Sequence, residues 1–196
     1  MRLCFIGDSF VNGTGDPTGL GWVGRVTAAA RRRGHDLTVY NLGIRRDTSA
    51  DIAARWQAET VPRLPPEFDG RLVFSFGAND CVLENGAPRI TPERSLENAG
   101  AILGTAGMRH PTLMLGPVPL PLLAGADAGI AALSRDLAAL AAGLAIPYFD
   151  LFTPLMAIGL WQREVTLGDG AHPGAAGYAL IAELVEGWAA WRAWLP

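Results

Sequence analysis

Short apolar runs alternate with helix-length segments along this chain, and that alternation constrains its fold more than any other feature. Each apolar run is followed at once by glycine or aspartate; the runs are residues 3–6, 37–42, 72–76, 112–115 and 146–149. Helical patterns lie between and after them, at residues 22–33, 49–60, from Thr91 onward, 127–143 and 174–194. Strands that alternate with helices form parallel sheets covered on both faces. The sequence therefore predicts an α/β fold with about five parallel strands flanked by helices.

The composition is typical of one globular domain spanning residues 1–196, with 49% apolar residues. A net charge of −3 gives no general attraction to nucleic acid or to an anionic membrane surface. No apolar run approaches the length of about 18 residues that a membrane span needs, and the first run is too short for a signal peptide. We therefore expect a cytoplasmic protein, with Cys4 and Cys81 as reduced thiols rather than a disulfide.

The residues that follow the strands are candidates for a functional site. Ligands of open parallel sheets bind outside the carboxyl ends of the strands. Ser9 comes soon after the first predicted strand, Gly43 after the second and Asn79 after the third. These three residues are therefore expected on the same edge of the sheet.

A serine nucleophile needs a base, and His172 is the histidine best placed to provide one. The chain has three histidines, and the other two, His35 and His110, directly precede predicted strands and so belong to the opposite edge of the sheet. Asp169 stands three residues before His172 in a glycine-rich turn, where its carboxylate can orient the imidazole. Oxyanion donors are available from the Ser9 and Gly43 N–H groups and the Asn79 amide.

Four short blocks carry a family resemblance. They are GDSF at 7–10, NLG at 41–43, GAND at 77–80 and DGAHP at 169–173. Their types and order resemble the SGNH hydrolases, also called GDSL-type esterases and lipases.

The resemblance implies a flavodoxin-like, three-layer α/β/α sandwich. It also implies a serine esterase or acylhydrolase that acts on a small-molecule ester through an acyl-enzyme, without a metal or organic cofactor. Ser9 would be the nucleophile and an oxyanion donor, His172 the base and Asp169 its orienting acid. Gly43 and Asn79 would complete the oxyanion hole. Asp8 and Asp80 are expected to support the site by bonding the backbone of their own turns.

Two arginines depart from the family pattern, in which a small residue and a glycine commonly stand at these positions. Arg45 and Arg46 follow the NLG block. Either they point to solvent or pair with Asp47 or Asp51, or one of them binds an anionic group of the substrate, since guanidinium suits carboxylate and phosphate. Trp161, shortly before the DGAHP block, is a further candidate for lining the acyl pocket.

The sequence leaves several alternatives open. Within the family, the substrate could be that of a carbohydrate O-deacetylase, a thioesterase or a lysophospholipase. In a different class, Asp8, Asp80, Asp169 and His172 could gather a metal for phosphoester hydrolysis, or the chain could be a non-catalytic binding module.

Two other patterns have an ordinary explanation. The glycines at 19, 21 and 24 match a dinucleotide fingerprint, but they begin too far after the first strand for that role. Trp188, Trp191 and Trp194 form a stripe along the last helix, which is expected to pack on the core, with the surface of a homodimer as the alternative.

Overall fold

A five-stranded parallel sheet forms the centre of the molecule. The structure is a computed structural model that describes residues 1–195. The main sheet has the order β2-β1-β3-β6-β7, and a separate antiparallel hairpin is formed by β4 and β5. The strands are β1 (Arg2–Gly7), β2 (Thr38–Gly43), β3 (Gly70–Ser75), β4 (Leu83–Glu84), β5 (Ala87–Pro88), β6 (Thr112–Leu115) and β7 (Tyr148–Phe149).

Helices cover both faces of the sheet. They are α1 (Ser9–Asn12), α2 (Gly21–Arg32), α3 (Ser49–Thr60), α4 (Pro92–Arg109), α5 (Ala126–Gly143), α6 (Phe152–Ala157), α7 (Gly159–Leu167), α8 (Ala175–Gly187) and α9 (Ala189–Trp194). None of the helices within residues 1–195 has both the length and the apolar character that crossing a bilayer requires.

The interior strand β1 shows how the sequence produces two cores. Side chains alternate between the faces of a strand. Leu3 and Phe5 of β1 therefore pack with α2, α8 and α9, whereas Cys4 and Ile6 pack with α3, α4 and α5. All four side chains are fully buried. The predicted three-layer α/β/α fold is confirmed.

The helix starts follow local signals. Thr48 caps α3 and forms a capping box with Asp51, in which each side chain accepts a hydrogen bond from the other residue's backbone. Thr91 caps α4, with Pro92 at its first position. These caps fix the entry of α3 and α4 beside the carboxyl edge of the sheet.

The structure differs from the sequence expectation near the end of the chain. The helix α7 ends at Leu167, shortly before the DGAHP block, and is not among the helices that the sequence predicted. The single helix expected at 174–194 is two helices, because Trp188 has an extended backbone that follows the weak helix former Gly187. This break lets Trp188 pack on Phe149 while Trp191 packs on Phe5.

Candidate active site

The junction between β1 and α1 positions Ser9. A Cβ atom at Gly7 would overlap the carbonyl oxygen of Ser75 on the neighbouring strand, so glycine is needed here for space. Asp8 caps α1 by accepting the Phe10 N–H at 2.9 Å. Ser9 is then the first residue of α1 and is almost completely buried. The first N–H groups of a helix have no hydrogen-bond acceptor inside that helix. Because Ser9 is the first residue of α1, the helix does not use its N–H, which is available to a ligand.

Ser9, His172 and Asp169 form a continuous hydrogen-bonded chain. The distance from Ser9 Oγ to His172 Nε2 is 2.8 Å, and the distance from His172 Nδ1 to Asp169 Oδ2 is also 2.8 Å. Asp169 Oδ1 accepts the backbone N–H of His172 at 2.8 Å, and Gly170 permits the tight turn with a φ of 86°. One loop thus supplies both the histidine and the carboxylate that is hydrogen-bonded to its ring.

The Asp169 carboxylate is held in its charged form. Partial burial opposes its charge, but hydrogen bonds from the His172 N–H, the His172 ring and the Ala171 N–H lower the pKa of Asp169 to about 2. An ionised carboxylate at Nδ1 orients the imidazole so that Nε2 faces the serine and stabilises the imidazolium that forms when Nε2 takes a proton.

Asn79 lies opposite His172 in a short 3₁₀ helix, Asn79–Cys81, that follows β3. Its Nδ2 donates to Asp47 O at 3.0 Å and to Asp8 Oδ2 at 3.3 Å. The Asn79 side chain lines the same pocket as Ser9 and His172. Asn79 therefore lies at the same edge of the sheet as Ser9.

Asp8 and Asp80 are buried acids beneath the pocket. Desolvation raises the pKa of Asp8 to about 7, with the Phe10 N–H opposing the shift and the charge of Asp80 adding to it. Asp80 reaches beyond its own turn: it accepts the Ser49 N–H at 2.8 Å and the Ser95 hydroxyl at 2.7 Å. The pKa of Asp80 is raised by burial. Asp80 therefore ties α3 and α4 to the 3₁₀ helix that carries Asn79.

Metal ligation is not a feature of this cluster. Across residues 1–195, no three His, Cys, Asp or Glu side chains are grouped so that they could hold a metal ion. The carboxylate oxygens of Asp8 and Asp80 instead accept hydrogen bonds from other groups of the protein.

Gly43 ends β2 on the expected edge of the sheet, but its N–H is not free to bind an oxyanion. Its N–H donates to Asn41 Oδ1 at 3.0 Å, so it is already engaged. A Cβ atom at Gly43 would overlap the backbone of Asn12 in α1. Gly43 is also absent from the residues that line the pocket. Its glycine character is explained by the close approach of α1 to β2, which corrects the expected oxyanion role.

The turn after Gly43 does reach the pocket. Asp47 N–H donates to Ile44 O at 3.2 Å, and Arg46 within this turn has a φ of 74°. That left-handed conformation is uncommon for a residue other than glycine. Arg46 lines the pocket beside Ser9 and Asn79, so the 44–47 turn, and not Gly43, borders the site.

The two arginines have partners other than those expected. Arg45 Nη2 lies 3.2 Å from Asp169 Oδ2, and Arg46 Nη2 lies 3.1 Å from Glu84 Oε1. Asp47 is paired instead with Arg55, at 2.6 Å. Both pocket arginines are mostly exposed.

Trp161 does not contact the pocket. It is 1% exposed, and its indole N–H donates to Pro119 O at 3.2 Å. Its ring packs against Phe10, whose own ring lies 5.1 Å from that of His172. Trp161 therefore packs in the core behind the site. It does not line the acyl pocket, which differs from the expectation.

The pocket itself is an open cleft of about 230 Å³. Its lining combines the Ser9–His172–Asp169 chain with apolar side chains and charged groups: Phe10, Arg45, Arg46, Asn79, Val82, Glu84, Arg89, Leu120, Leu123 and Ala171. Leu120 and Leu123 come from the loop after β6, which the sequence placed at the surface as a candidate pocket wall.

Glu84 and Arg89 were missed by the sequence reasoning. Both lie on the β4–β5 hairpin, whose turn is made by Asn85 and Gly86 with φ values of 54° and 81°. Asn-Gly is the strongest short signal for such a hairpin. This dipeptide was the feature that could have found the hairpin and its charged residues.

Comparison with known proteins identifies the family. Residues 5–180 match the model of the GDSL-like Lipase/Acylhydrolase family. The chain belongs to this GDSL family. It is accordingly a hydrolase of ester bonds, an esterase or acylhydrolase. No curated protein matches the chain significantly.

Solved structures of GDSL-type enzymes share the fold. A lipase/acylhydrolase from Enterococcus faecalis is 24% identical, with 94% of this chain and 92% of that chain covered and a TM-score of 0.78. TesA is 27% identical, with 95% and 97% covered and a TM-score of 0.76. Axe2, an acetylxylan esterase from Geobacillus stearothermophilus, is 16% identical, with 93% and 91% covered and a TM-score of 0.78.

Proposed function

We propose that this GDSL-family enzyme is a serine esterase that cleaves small or exposed carboxylic esters through an acyl-enzyme. The observation that carries the proposal is the pair of 2.8 Å contacts that link Ser9 Oγ through His172 to Asp169. A serine hydroxyl is a weak nucleophile until an adjacent base takes its proton. A base that is itself oriented by a carboxylate is the arrangement that acyl transfer requires.

In the proposed cycle, Ser9 Oγ attacks the ester carbonyl carbon while His172 Nε2 takes the hydroxyl proton. The tetrahedral intermediate collapses, and His172 returns the proton to the leaving alcohol. The acyl group stays on Ser9. Water then loses a proton to His172 and attacks the acyl carbon, and Ser9 leaves with that proton as the acid is released. Asp169 keeps its charge throughout and stabilises the imidazolium.

Three donors are proposed for the developing oxyanion. Ser9 and Asn79 both line the pocket, and we assign donor roles to the Ser9 N–H and to Asn79 Nδ2, whose longer 3.3 Å contact with Asp8 Oδ2 is the one that an oxyanion would replace. The third donor is the backbone N–H of Arg46 in place of Gly43, because the Gly43 N–H is engaged by Asn41. Each such donor contributes roughly 10²- to 10³-fold to kcat in comparable sites.

The size of the cleft supports a small acyl or alcohol group. Its volume of about 230 Å³ lies below the roughly 300–1,000 Å³ that is usual for drug-sized ligands. One structural neighbour is named an acetylxylan esterase and another TesA. A carbohydrate O-deacetylase, a thioesterase or a lysophospholipase is therefore the alternative within the family, and a panel of acyl chain lengths and acetylated sugars separates these substrates.

Hydrolysis of 4-nitrophenyl acetate tests the assignment of Ser9. We expect Ser9→Ala to lower kcat by at least about 10³-fold, because the nucleophile is gone and only binding and the oxyanion donors remain. Circular dichroism should show an unchanged fold. A serine-directed phosphonate should label the wild type at Ser9 and leave Ser9→Ala unlabelled.

Ser134 offers a matched control. It is another buried serine near a carboxylate, with Oγ 3.1 Å from Asp150 Oδ1, but it lies outside the cleft. Ser134→Ala should keep wild-type turnover. Full activity in Ser9→Ala, or loss of activity in Ser134→Ala alone, would overturn the assignment.

A further inference from the structure

The rim of the active-site pocket carries more charge than acyl transfer requires. Arg45, Arg46 and Arg89 line it together with two carboxylates, Glu84 and Asp169. Three guanidiniums against two carboxylates leave an excess positive charge at the mouth of the site. The chain as a whole has a net charge of −3, so the excess charge at the pocket mouth is opposite in sign to the net charge of the chain.

One carboxylate is shared by two of these arginines. Glu84 Oε1 lies 3.1 Å from Arg46 Nη2 and 3.4 Å from Arg89 Nε. Glu84 is about half exposed, as its side chain retains 52% of its accessible surface. It stands at the tip of the β4–β5 hairpin, from which it can swing into water. The two guanidiniums thus converge on one anion that is easily displaced.

The backbone of Arg46 indicates that its side chain has a function. A φ of 74° strains an arginine, whereas glycine adopts it freely. The ion pair with Glu84 does not offset this strain, because exposed pairs contribute little to stability. Backbone outliers kept at an active site point to a functional constraint. Compared with glycine, arginine at this position adds a guanidinium group at the pocket.

Arg89 supplies the rigid half of the arrangement. Its side chain is 17% exposed, and Nη1 donates to Arg46 O at 2.9 Å. Its own N–H donates to Val82 O at 3.0 Å within the hairpin. The guanidinium is therefore held in place against the 44–47 turn before any ligand arrives. Planar guanidinium groups suit carboxylate and phosphate oxygens.

We propose that Arg46 and Arg89 bind an anionic group, a carboxylate or phosphate, carried by the ester substrate. Glu84 occupies their guanidiniums in the free enzyme and is displaced when the substrate anion binds. The proposal rests on the esterase function above and narrows it to esters that bear a negative charge on the acyl or the alcohol part.

Matched esters test the charge preference. Mono(4-nitrophenyl) glutarate is compared with 4-nitrophenyl pentanoate for the acyl part, and 4-acetoxybenzoate with 4-acetoxybenzamide for the alcohol part. After division by the rates of hydroxide-catalysed hydrolysis, kcat/KM should favour the charged ester of at least one pair. This preference should shrink as ionic strength rises, because the arginines are exposed to screening. The favoured pair identifies which part of the substrate carries the anion.

Two variants should move the preference in opposite directions. Arg46→Gly keeps the backbone conformation and removes the guanidinium, so the charged-to-neutral ratio of kcat/KM should fall about two- to fivefold. Glu84→Gln removes the competing carboxylate, so the ratio should rise. Arg94→Ala is the control, because Arg94 is an exposed arginine paired with Glu97 on α4, and this variant should leave the ratio unchanged.

Each outcome decides the proposal. Opposite shifts in Arg46→Gly and Glu84→Gln support it. An unchanged ratio in both, with Ser9-dependent hydrolysis of the neutral esters, overturns the anion site and leaves the esterase function standing. No hydrolysis of any of the four esters means that the esterase function itself is wrong. If Arg46→Gly does not fold, inorganic phosphate provides the measurement: it should inhibit hydrolysis of 4-nitrophenyl pentanoate competitively, and more tightly in Glu84→Gln than in the wild type.

Discussion

Asp8 shows how one residue serves both structure and chemistry. One carboxylate oxygen caps α1 through the Phe10 N–H, and the other accepts Asn79 Nδ2 at 3.3 Å. The carboxylate is buried near Asp80, and desolvation raises its pKa to about 7. A buried acid with such a pKa carries its proton in the folded protein at mildly acidic pH, where the unfolded chain has already released it.

That difference makes stability depend on pH in a defined direction. Between about pH 4 and pH 7 the folded state binds a proton at Asp8 that the unfolded state does not, so stability declines as pH rises through this window. Asp8→Asn removes the titration. The free energy of unfolding of the variant relative to wild type should therefore increase by about 1–3 kcal/mol between pH 5 and pH 7.5. Urea denaturation at the two pH values measures it.

Asp36→Asn is the control for this prediction. Asp36 is an exposed aspartate, so its substitution removes the same charge without removing a buried acid. Parallel pH profiles of Asp8→Asn and Asp36→Asn, each relative to wild type, would contradict the role of Asp8. The new amide group of Asp8→Asn also faces Asn79 Nδ2, which is itself a hydrogen-bond donor. We therefore expect kcat of this variant to fall at every pH.

At the scale of elements, the contact between α1 and β2 sets the position of Ser9. Asn41 on β2 donates from Nδ2 to Val11 O at 2.7 Å and accepts the Gly43 N–H at 3.0 Å. Gly43 lies directly against the backbone of Asn12. A helix of four residues has little stability of its own, so this contact with the strand end fixes where α1 lies.

Substitution of two glycines measures the importance of that contact. Gly43→Ala would force a Cβ atom into the Asn12 backbone, and we expect it to lower the free energy of unfolding by about 1–3 kcal/mol and to reduce kcat by displacing Ser9. Urea denaturation and hydrolysis of 4-nitrophenyl acetate give the two readouts.

Gly104 provides the matched comparison. It lies inside α4 with open space where a Cβ atom would stand, so Gly104→Ala should raise the free energy of unfolding by about 0.5–1 kcal/mol and leave kcat unchanged. Equal effects of the two substitutions would show that α1 is not tightly packed on β2.

For the whole molecule, Cys4 reports on the opening of the sheet. It lies fully buried in the interior strand β1, and burial raises the pKa of its thiol to about 12. Thiolate is the reactive form. In a Cys81→Ser variant, modification of Cys4 by a disulfide reagent should therefore proceed only through global unfolding. Its rate across a urea series should give the same free energy as equilibrium denaturation.

Cys81 gives the opposite test in a Cys4→Ser variant. It lies in the 3₁₀ helix after Asn79 and is partly exposed. Local opening of this segment should allow faster modification than at Cys4. If the reagent modifies Cys4 as fast as it modifies Cys81, then β1 opens without unfolding of the whole molecule.

The fold was predictable because its signals are local. Each of the five apolar runs that predicted the main sheet is followed by a glycine or aspartate, and α3 and α4 begin with threonine caps that can be read within four residues. The strand ends in turn placed Ser9 and Asn79 on one edge. Asp169 and His172 lie three residues apart, so their hydrogen bond was also a local inference.

What could not be predicted depends on contacts between distant residues. Which N–H is free for an oxyanion depends on the Asn41 side chain, which engages Gly43 and leaves the next turn to face the pocket. The ion pair between Arg45 and Asp169 joins residues 124 positions apart, so no pattern in either segment reveals it.

The distance between the proposed nucleophile and base along the chain has a consequence for synthesis. Ser9 and His172 lie 163 positions apart, and α8, which follows His172, packs against α2, which follows Ser9. A ribosome therefore makes the serine well before the histidine. Until the segment that carries His172 has been made and has docked on the segment that carries Ser9, the Ser9 hydroxyl has no base to activate it.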